Sequence, residues 1–141
     1  MIGFAFILKL MDKINLAILK SLRMNARQSW QEIGRGVHLS GQAVAMRVLQ
    51  MQDAGEITGY TIRTRPQSRH LVTVFMTSAK FDAFEQYIAL QDEVLEAYKT
   101  AGEGCYQLAV EIDSSARLEA FLSSLLSYGT YRVHTVVRQV K

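Results

Sequence analysis

The chain has 141 residues, enough for one domain or two small ones, and 49% of them are hydrophobic, so it can bury a core. Its single cysteine excludes an intramolecular disulfide, and no apolar run approaches the roughly 20 residues that cross a bilayer. The net charge of +3 is uneven, because residues 1–70 carry ten Lys or Arg and four acids, whereas residues 71–141 carry six and nine. A basic half is typical of nucleic-acid binding, although a solvated charged surface is the simpler alternative.

The first ten residues, MIGFAFILKL, are apolar and unlike the chain that follows. They lack the basic start and the small-residue cleavage site of a signal peptide. Two interpretations stay open. Either Met11 is the natural start and an upstream initiation site added the preceding residues, or the segment is an arm that docks on a partner chain.

The first predicted helix covers residues 13–26, with Asp12 as its N-cap. Its apolar residues fall on one helical face, which predicts that this face is buried. The stripe consists of Ile14, Ile18, Leu19 and Leu22.

A pair of short helices is predicted next, over residues 30–36 and 41–54, joined by a turn at 37–39. Ser29 and Glu32 have the spacing of a capping box, Ser40 can cap the second helix, and Gly55 can end it in the left-handed conformation. Trp30 is interpreted as a packing residue beside the first cap, with a DNA contact as the alternative. This arrangement indicates a helix-turn-helix, although plain core packing also produces such pairs.

In a helix-turn-helix, the N-terminal part of the second helix faces the base edges in the major groove. Gln42 can pair with adenine through two hydrogen bonds, with simple solvation as the alternative. Arg47 is predicted to contact phosphate, unless it pairs with Asp53 or Glu56. Val44, Val48 and Met51 form the inward stripe. The candidate DNA-binding residues are Ser40, Gln42, Ala43, Met46, Arg47 and Gln50, followed downstream by Arg63 and Arg65.

Residues 57–63 are rich in β-forming side chains and are predicted to form a strand beside the helices, as the wing of a winged helix-turn-helix. Residues 64–70 are predicted to be a linker, because they are polar and contain the only proline, Pro66. Arg63, Arg65 and Arg69 surround it. These arginines either contact phosphate or only solvate the linker.

From residue 71 the pattern predicts a ferredoxin-like β-α-β-β-α-β unit, so the whole chain is assigned to the α+β class. The expected strands are 71–77, 94–100, 106–112 and 131–140. The first expected helix covers residues 79–90 and is capped by Ser78. The second is capped by Asp113 or Ser114 and ends at about residue 126. One sheet face is left without strongly polar residues and without a cover, and an identical sheet across a two-fold axis is its simplest partner.

Several motifs carry a family resemblance. Residues 11–19, MDKINLAIL, match a Leu-Asp-x-x-Asp-x-x-Ile-Leu opening with Asn15 in the second acidic place, and residues 25–27, NAR, match a short polar turn. Residues 102–106, GEGCY, occupy the place of a glycine loop that leads into an Asp-Tyr strand. The helix pair adds Leu39, Ser40, Val44, Arg47, Val48, Met51, Gly55 and Ile57 at matching spacing. In order and spacing these motifs resemble the Lrp/AsnC (feast/famine) family of prokaryotic transcription regulators.

The resemblance implies a winged helix-turn-helix domain over residues 11–63 and a ligand-sensing RAM domain, related to ACT domains, over 71–141. It also implies a cytoplasmic, nucleoid-associated regulator that binds double-stranded DNA. The residues themselves give no support for an enzyme, and neither a cofactor nor a metal is expected. Self-assembly as a homodimer, tetramer or octamer is expected, with a small effector such as an amino acid. The implied effector-binding residues are Gly102, Glu103, Gly104, Cys105 and Thr135.

Two features favour other functions. Cys105 stands where the family has aspartate, and the predicted DNA-facing helix is poor in charge, so specificity would come largely from DNA shape. A protein that bends or wraps DNA without an effector is therefore one alternative. A stand-alone metabolite-binding or enzymatic domain is another, although no catalytic triad, Walker loop or metal-spaced cluster is present in the sequence.

Overall fold

The chain forms two units in a computed structural model that describes residues 12–65 and 68–141. The first unit ends at Arg63 and the second begins at Thr64. The apolar segment 1–10 and Pro66 lie outside the described residues. Among the described helices, none combines the length and apolar character needed to cross a bilayer.

The described part of the first unit contains three helices: α1 (Lys13–Met24), α2 (Trp30–Val37) and α3 (Gly41–Asp53). Each begins at its predicted cap. The Asp12 carboxylate accepts a hydrogen bond from the backbone N–H three residues on at 2.7 Å, and the Ser40 hydroxyl does the same at 3.1 Å. Ser29 and Glu32 form the reciprocal capping box. Local side-chain chemistry therefore fixes where all three helices start.

The predicted apolar stripes form the core of this unit. Ile14 and Leu19 of the predicted α1 stripe are only partly buried and pack against that core. Asn15 is a buried polar residue, 2% exposed, that the apolar pattern did not predict. The buried hydrophobic residues are Ile18, Leu22, Ile33, Val44, Val48 and Met51.

The turn between α2 and α3 depends on a close backbone approach. His38 takes the left-handed conformation, with φ 58°, and the Leu39 N–H donates to the Gly34 carbonyl at 2.9 Å. A Cβ atom on Gly34 would lie 2.3 Å from the Leu39 carbonyl oxygen, so only glycine fits there. Gly55, with φ 75°, follows α3 in the left-handed conformation as predicted.

The predicted wing is wrong. Residues 57–65 form no strand, and the described part of the first unit contains only helices. The β-forming side chains of this segment favour an extended backbone, but a strand also needs a ladder partner, and this unit supplies none among its described residues. Tyr60 and Ile62 are consequently exposed.

The second unit has the predicted ferredoxin-like topology. Its elements are β1 (Arg69–Met76), α4 (Phe81–Ala89), β2 (Val94–Lys99), β3 (Tyr106–Glu111), α5 (Ser115–Leu125) and β4 (Gly129–Thr135). The four strands are antiparallel in the order β2-β3-β1-β4. Arg69 and His70, placed in the linker by the sequence, are the first residues of β1.

Both helices pack on one face of this sheet. The predicted alternation of β3 is confirmed, because Tyr106, Leu108 and Val110 are buried on that face beside Phe84 of α4 and Leu125 of α5. The opposite face, here called the open sheet face, carries the alternate residues of the two central strands. It consists of Leu71, Thr73, Phe75, Gln107 and Ala109.

The start of α4 and the end of β4 also differ from prediction. Ser78 does not cap α4, which begins after Lys80 without a side-chain cap, and the Ser78 hydroxyl is buried without a hydrogen-bond partner among the described residues. The strand β4 ends at Thr135 rather than at residue 140. It pairs with β1, whose first residue is Arg69, so the ladder ends with the Val136 N–H bonded to the Arg69 carbonyl.

Candidate DNA-binding surface and effector loop

The outer face of α3 carries the predicted base-contacting side chains. Gln42, Met46 and Gln50 recur every four residues and are all exposed, so they share one face of the helix, here called the recognition face. Ser40 is exposed at the cap, and Ala43 is half-buried in the first turn. The structure therefore brings together Ser40, Gln42, Ala43, Met46 and Gln50 at one side of α3. Arg47, the other predicted residue of this helix, has a different role.

Arg47 is joined to α1. Its Nη1 donates to Asp12 Oδ2 at 2.7 Å and to Asn15 Oδ1 at 2.9 Å, across 35 and 32 residues of sequence. The hydrogen bond from Arg47, followed by the one from the Asn15 backbone N–H, lowers the pKa of the Asp12 carboxyl below its ordinary value of 3.8. The sequence offered only Asp53 and Glu56 as partners, so this contact, here called the Arg47 link, was missed.

The predicted phosphate contacts Arg63 and Arg65 lie in the irregular segment that follows α3. Both side chains are exposed. Exposed arginines on such a segment are free to follow a polyanion, and contacts of that kind add affinity without sequence choice.

A groove of about 500 Å³ lies between the start of α2 and the start of α3. Trp30 lines it, but the indole is 39% exposed and belongs to neither the buried core nor the side chains packed against it, contrary to the packing interpretation. The other lining residues are Ser29, Gln31, Ser40, Gly41, Gln42 and Ala45. The groove therefore opens beside the recognition face.

The loop between β2 and β3 contains four of the five predicted effector residues. Gly102 and Gly104 have φ values of 120° and 87°, which favour glycine. A Cβ on Gly104 would lie 2.5 Å from Thr73 Cγ2, and the Cys105 N–H donates to the Val74 carbonyl at 2.8 Å. The loop is thus held tightly against β1.

Charged side chains tie the same loop to β4. Glu103 accepts a hydrogen bond from Arg132 Nη1 at 3.0 Å, and the Arg132 guanidinium lies 5.2 Å from the centroid of the Phe75 ring. Thr135, the fifth predicted residue, is elsewhere. It pairs with His70, four residues before Val74 on β1 and roughly 13 Å along the strand.

A second cleft, of about 360 Å³, was missed by the sequence analysis. Glu85 Oε1 accepts hydrogen bonds from the Tyr106 hydroxyl at 2.6 Å and from Lys99 Nζ at 3.2 Å. Both bonds lower the pKa of the Glu85 carboxyl, and the bond from Tyr106 has the larger effect. Burial raises the pKa of the Tyr106 phenol. In the sequence, Lys99 precedes the glycine loop and Tyr106 follows it. This position beside the loop is the only feature of the sequence that could have pointed to the cleft.

The described residues contain no group of three His, Cys, Asp or Glu side chains placed to hold a metal ion. What they do contain is a capped helix-turn-helix with an exposed recognition face, followed by a ferredoxin-like domain with a glycine loop. This combination defines a DNA-binding regulator with a separate domain for sensing or assembly.

Known proteins show the same combination. Residues 11–52 match the AsnC-type helix-turn-helix domain, and residues 69–141 match the Lrp/AsnC ligand binding domain. The HTH-type transcriptional regulator LrpB of Bacillus subtilis is 36% identical over 92% of this chain and 91% of its own. The chain therefore belongs to the Lrp/AsnC family, whose members are transcriptional regulators and not enzymes.

Solved structures agree with this assignment. The structure of B. subtilis LrpC has a TM-score of 0.83 and 26% identity, covering 93% of this chain and 97% of that one. A transcriptional regulator from Neisseria meningitidis, solved as a complex with L-Met, has a TM-score of 0.82 and 25% identity, covering 93% and 92%.

Proposed function

We propose that this protein is a sequence-specific transcriptional regulator whose α3 helices, one from each of two subunits, enter successive major grooves about one helical turn apart. The recognition face on a capped helix-turn-helix carries this proposal. Gln42 and Gln50 offer paired donors and acceptors to adenine, and Met46 offers apolar contact to a thymine methyl group. Ser40, Ala43, Arg63 and Arg65 lie beside this face in sequence and are proposed to contact the backbone.

One observation favours a second candidate, an architectural protein that bends or wraps DNA. The outer face of α3 exposes Met46, which is 54% exposed, and Leu49, which is 52% exposed, beside glutamines. It carries no exposed basic side chain. A face of this kind supplies few phosphate contacts and few strong base contacts, so DNA deformability would set most of the preference.

The ratio of specific to non-specific affinity at one fixed salt concentration distinguishes the two. For a duplex from upstream of the protein's own gene against a mixed-sequence duplex, we expect a ratio of about 10³ or more, whereas an architectural protein gives a ratio near one. Gln42→Ala is expected to lower only the specific affinity, and Gln86→Ala, an exposed glutamine on α4, to change neither. Repeating the titration with each amino acid tests for an effector.

The effector is proposed to be an amino acid bound at the glycine loop, residues 102–105. The N. meningitidis relative, solved with L-Met, supports this class of ligand. Glu103 and Arg132 carry the opposite charges that an amino acid's ammonium and carboxylate groups require. Since Thr135 lies far from the loop within one chain, we propose that it reaches the site from another subunit, so that effector binding favours one assembly over another.

Assembly is proposed to use the open sheet face, paired across a two-fold axis. Leu71, on this face, is 48% exposed, so Leu71→Glu would place a charge in the interface. We expect this variant to sediment as a monomer and to bind DNA at least roughly tenfold more weakly, because it loses the second half-site contact. Leu90→Glu is the matched control, since Leu90 is 80% exposed at the end of α4. Equal sedimentation of the two variants would place the interface elsewhere.

A further inference from the structure

Trp30 is the only tryptophan in the chain, and it stands on the surface of the DNA-binding unit. The buried core of that unit is formed by aliphatic side chains and Met51 and does not include Trp30. An exposed indole presents a large apolar surface with a single hydrogen-bond donor. Because packing does not account for this side chain, its neighbours on the surface are informative.

Trp30 forms one wall of the groove between α2 and α3, and Ser40, Gly41 and Gln42 form another. The two helix starts are in close contact there. A Cβ atom added to Gly41 would lie 3.0 Å from Gln31 Cγ and 3.1 Å from the Gln31 backbone nitrogen. The groove is therefore a fixed feature of the helix pair, and it is continuous with the recognition face through Gln42.

We infer that this groove receives the sugar–phosphate backbone that borders the major groove, with the Trp30 indole packed against a deoxyribose and its N–H donating to a phosphate oxygen. The inference rests on the proposed entry of α3 into the major groove. When the first turn of α3 lies at the base edges, the surface next to that turn faces a backbone strand.

The chemistry of the unit fits this occupant. Its residues 12–63 carry seven Lys or Arg and four acids, a positive balance that attracts a polyanion. A deoxyribose is apolar and a phosphate is an acceptor, which matches the body and the donor of an indole. Trp30 thereby adds affinity and orientation beside a recognition face that lacks exposed basic side chains.

The native protein supplies its own probe, since Trp30 emission reports this site alone. We expect titration with a mixed-sequence duplex of about 30 base pairs, roughly three helical turns, to shift the emission to shorter wavelength. The same titration should reduce quenching by acrylamide about twofold, as the indole becomes covered. Saturable binding of a labelled duplex with unchanged emission and quenching would overturn the inference and leave the proposed function intact. No binding at low salt would contradict the proposed function instead.

Variants give the second measurement. Trp30→Ala is expected to weaken binding roughly tenfold, and Trp30→Phe, which keeps a ring but loses the donor, about threefold. The dependence of affinity on salt should not change, because no charge is removed. Met24→Ala, at an 82% exposed site on α1, is the matched control. Native affinity of a folded Trp30→Ala would overturn the inference, and if that variant fails to fold, the emission of the native protein decides.

Discussion

Gly34→Ala is expected to lower the free energy of unfolding of the helix-turn-helix unit by about 3 kcal/mol or more. The new Cβ would lie 2.3 Å from the Leu39 carbonyl oxygen and 3.3 Å from the Ser40 carbonyl carbon. Both are backbone atoms, so no flexible side chain can move aside. Relief requires opening the turn, where the Leu39 N–H donates to the Gly34 carbonyl. Because this turn sets the angle between α2 and α3, DNA affinity should fall together with stability.

Gly36→Ala is the matched control for this substitution. Gly36 lies on the same helix, and nothing comes within 4 Å of the Cβ it would acquire. Helix propensity then dominates, and we expect a gain of up to about 1 kcal/mol. Urea unfolding followed by Trp30 emission measures the first unit separately, which matters because two units need not unfold in one transition. If both alanine variants proved equally stable, the Gly34 contact would not constrain the turn.

The features that the sequence predicted well are those decided by near neighbours. Ser29 caps α2 through Glu32, three residues away, and Gly55 ends its helix through its own backbone freedom. The alternation of β3 needs only one buried and one open face. Such features depend on a few consecutive side chains, so a single sequence is sufficient to predict them.

The features that were wrong or missed depend on residues far apart in the chain. Residues 57–63 have strand propensity without a ladder partner in their unit, and β4 ends at Thr135 because β1 provides no further partner. Asp12 finds Arg47 only when α1 packs against α3. The cleft at Glu85 likewise needs the folded sheet. Propensity and spacing describe one segment, whereas these contacts are decided by how segments pack.

Arg47→Ala is expected to lower the stability of the first unit by about 2 kcal/mol, because a single guanidinium nitrogen serves two acceptors. Asn15 is 2% exposed and loses one donor to its amide oxygen, whereas Asp12, with 43% of its side chain exposed, is partly screened by water. Urea unfolding of Arg35→Ala, an exposed arginine on α2, controls for loss of charge alone. A loss equal to that control would show that the Arg47 link contributes nothing.

The acid limb of the stability curve gives an independent check on the Arg47 link. The pKa of Asp12 is lowered in the folded state, so its contribution is present above the unfolded value and is lost as pH falls through the folded one. The difference in stability between the native protein and Arg47→Ala should therefore narrow below about pH 4. If the stability difference between the native protein and Arg47→Ala stays constant below about pH 4, the ion pair with Asp12 does not stabilise the fold.

Asp12→Ser separates positioning of α3 by Arg47 from a direct phosphate contact. Serine keeps the N-cap of α1 and the charge of Arg47 but removes the ion pair. If Arg47 acts through the Arg47 link, Asp12→Ser and Arg47→Ala should both weaken DNA binding, each with an unchanged salt slope. The loss should be smaller for Asp12→Ser, because the hydrogen bond from Arg47 to Asn15 remains. If Arg47 binds phosphate, Arg47→Ala alone should reduce the salt slope by about 0.9, and Asp12→Ser should leave affinity intact or raise it by freeing the guanidinium. The structure favours the first result, because the Arg47 link already holds the middle of α3 against the start of α1.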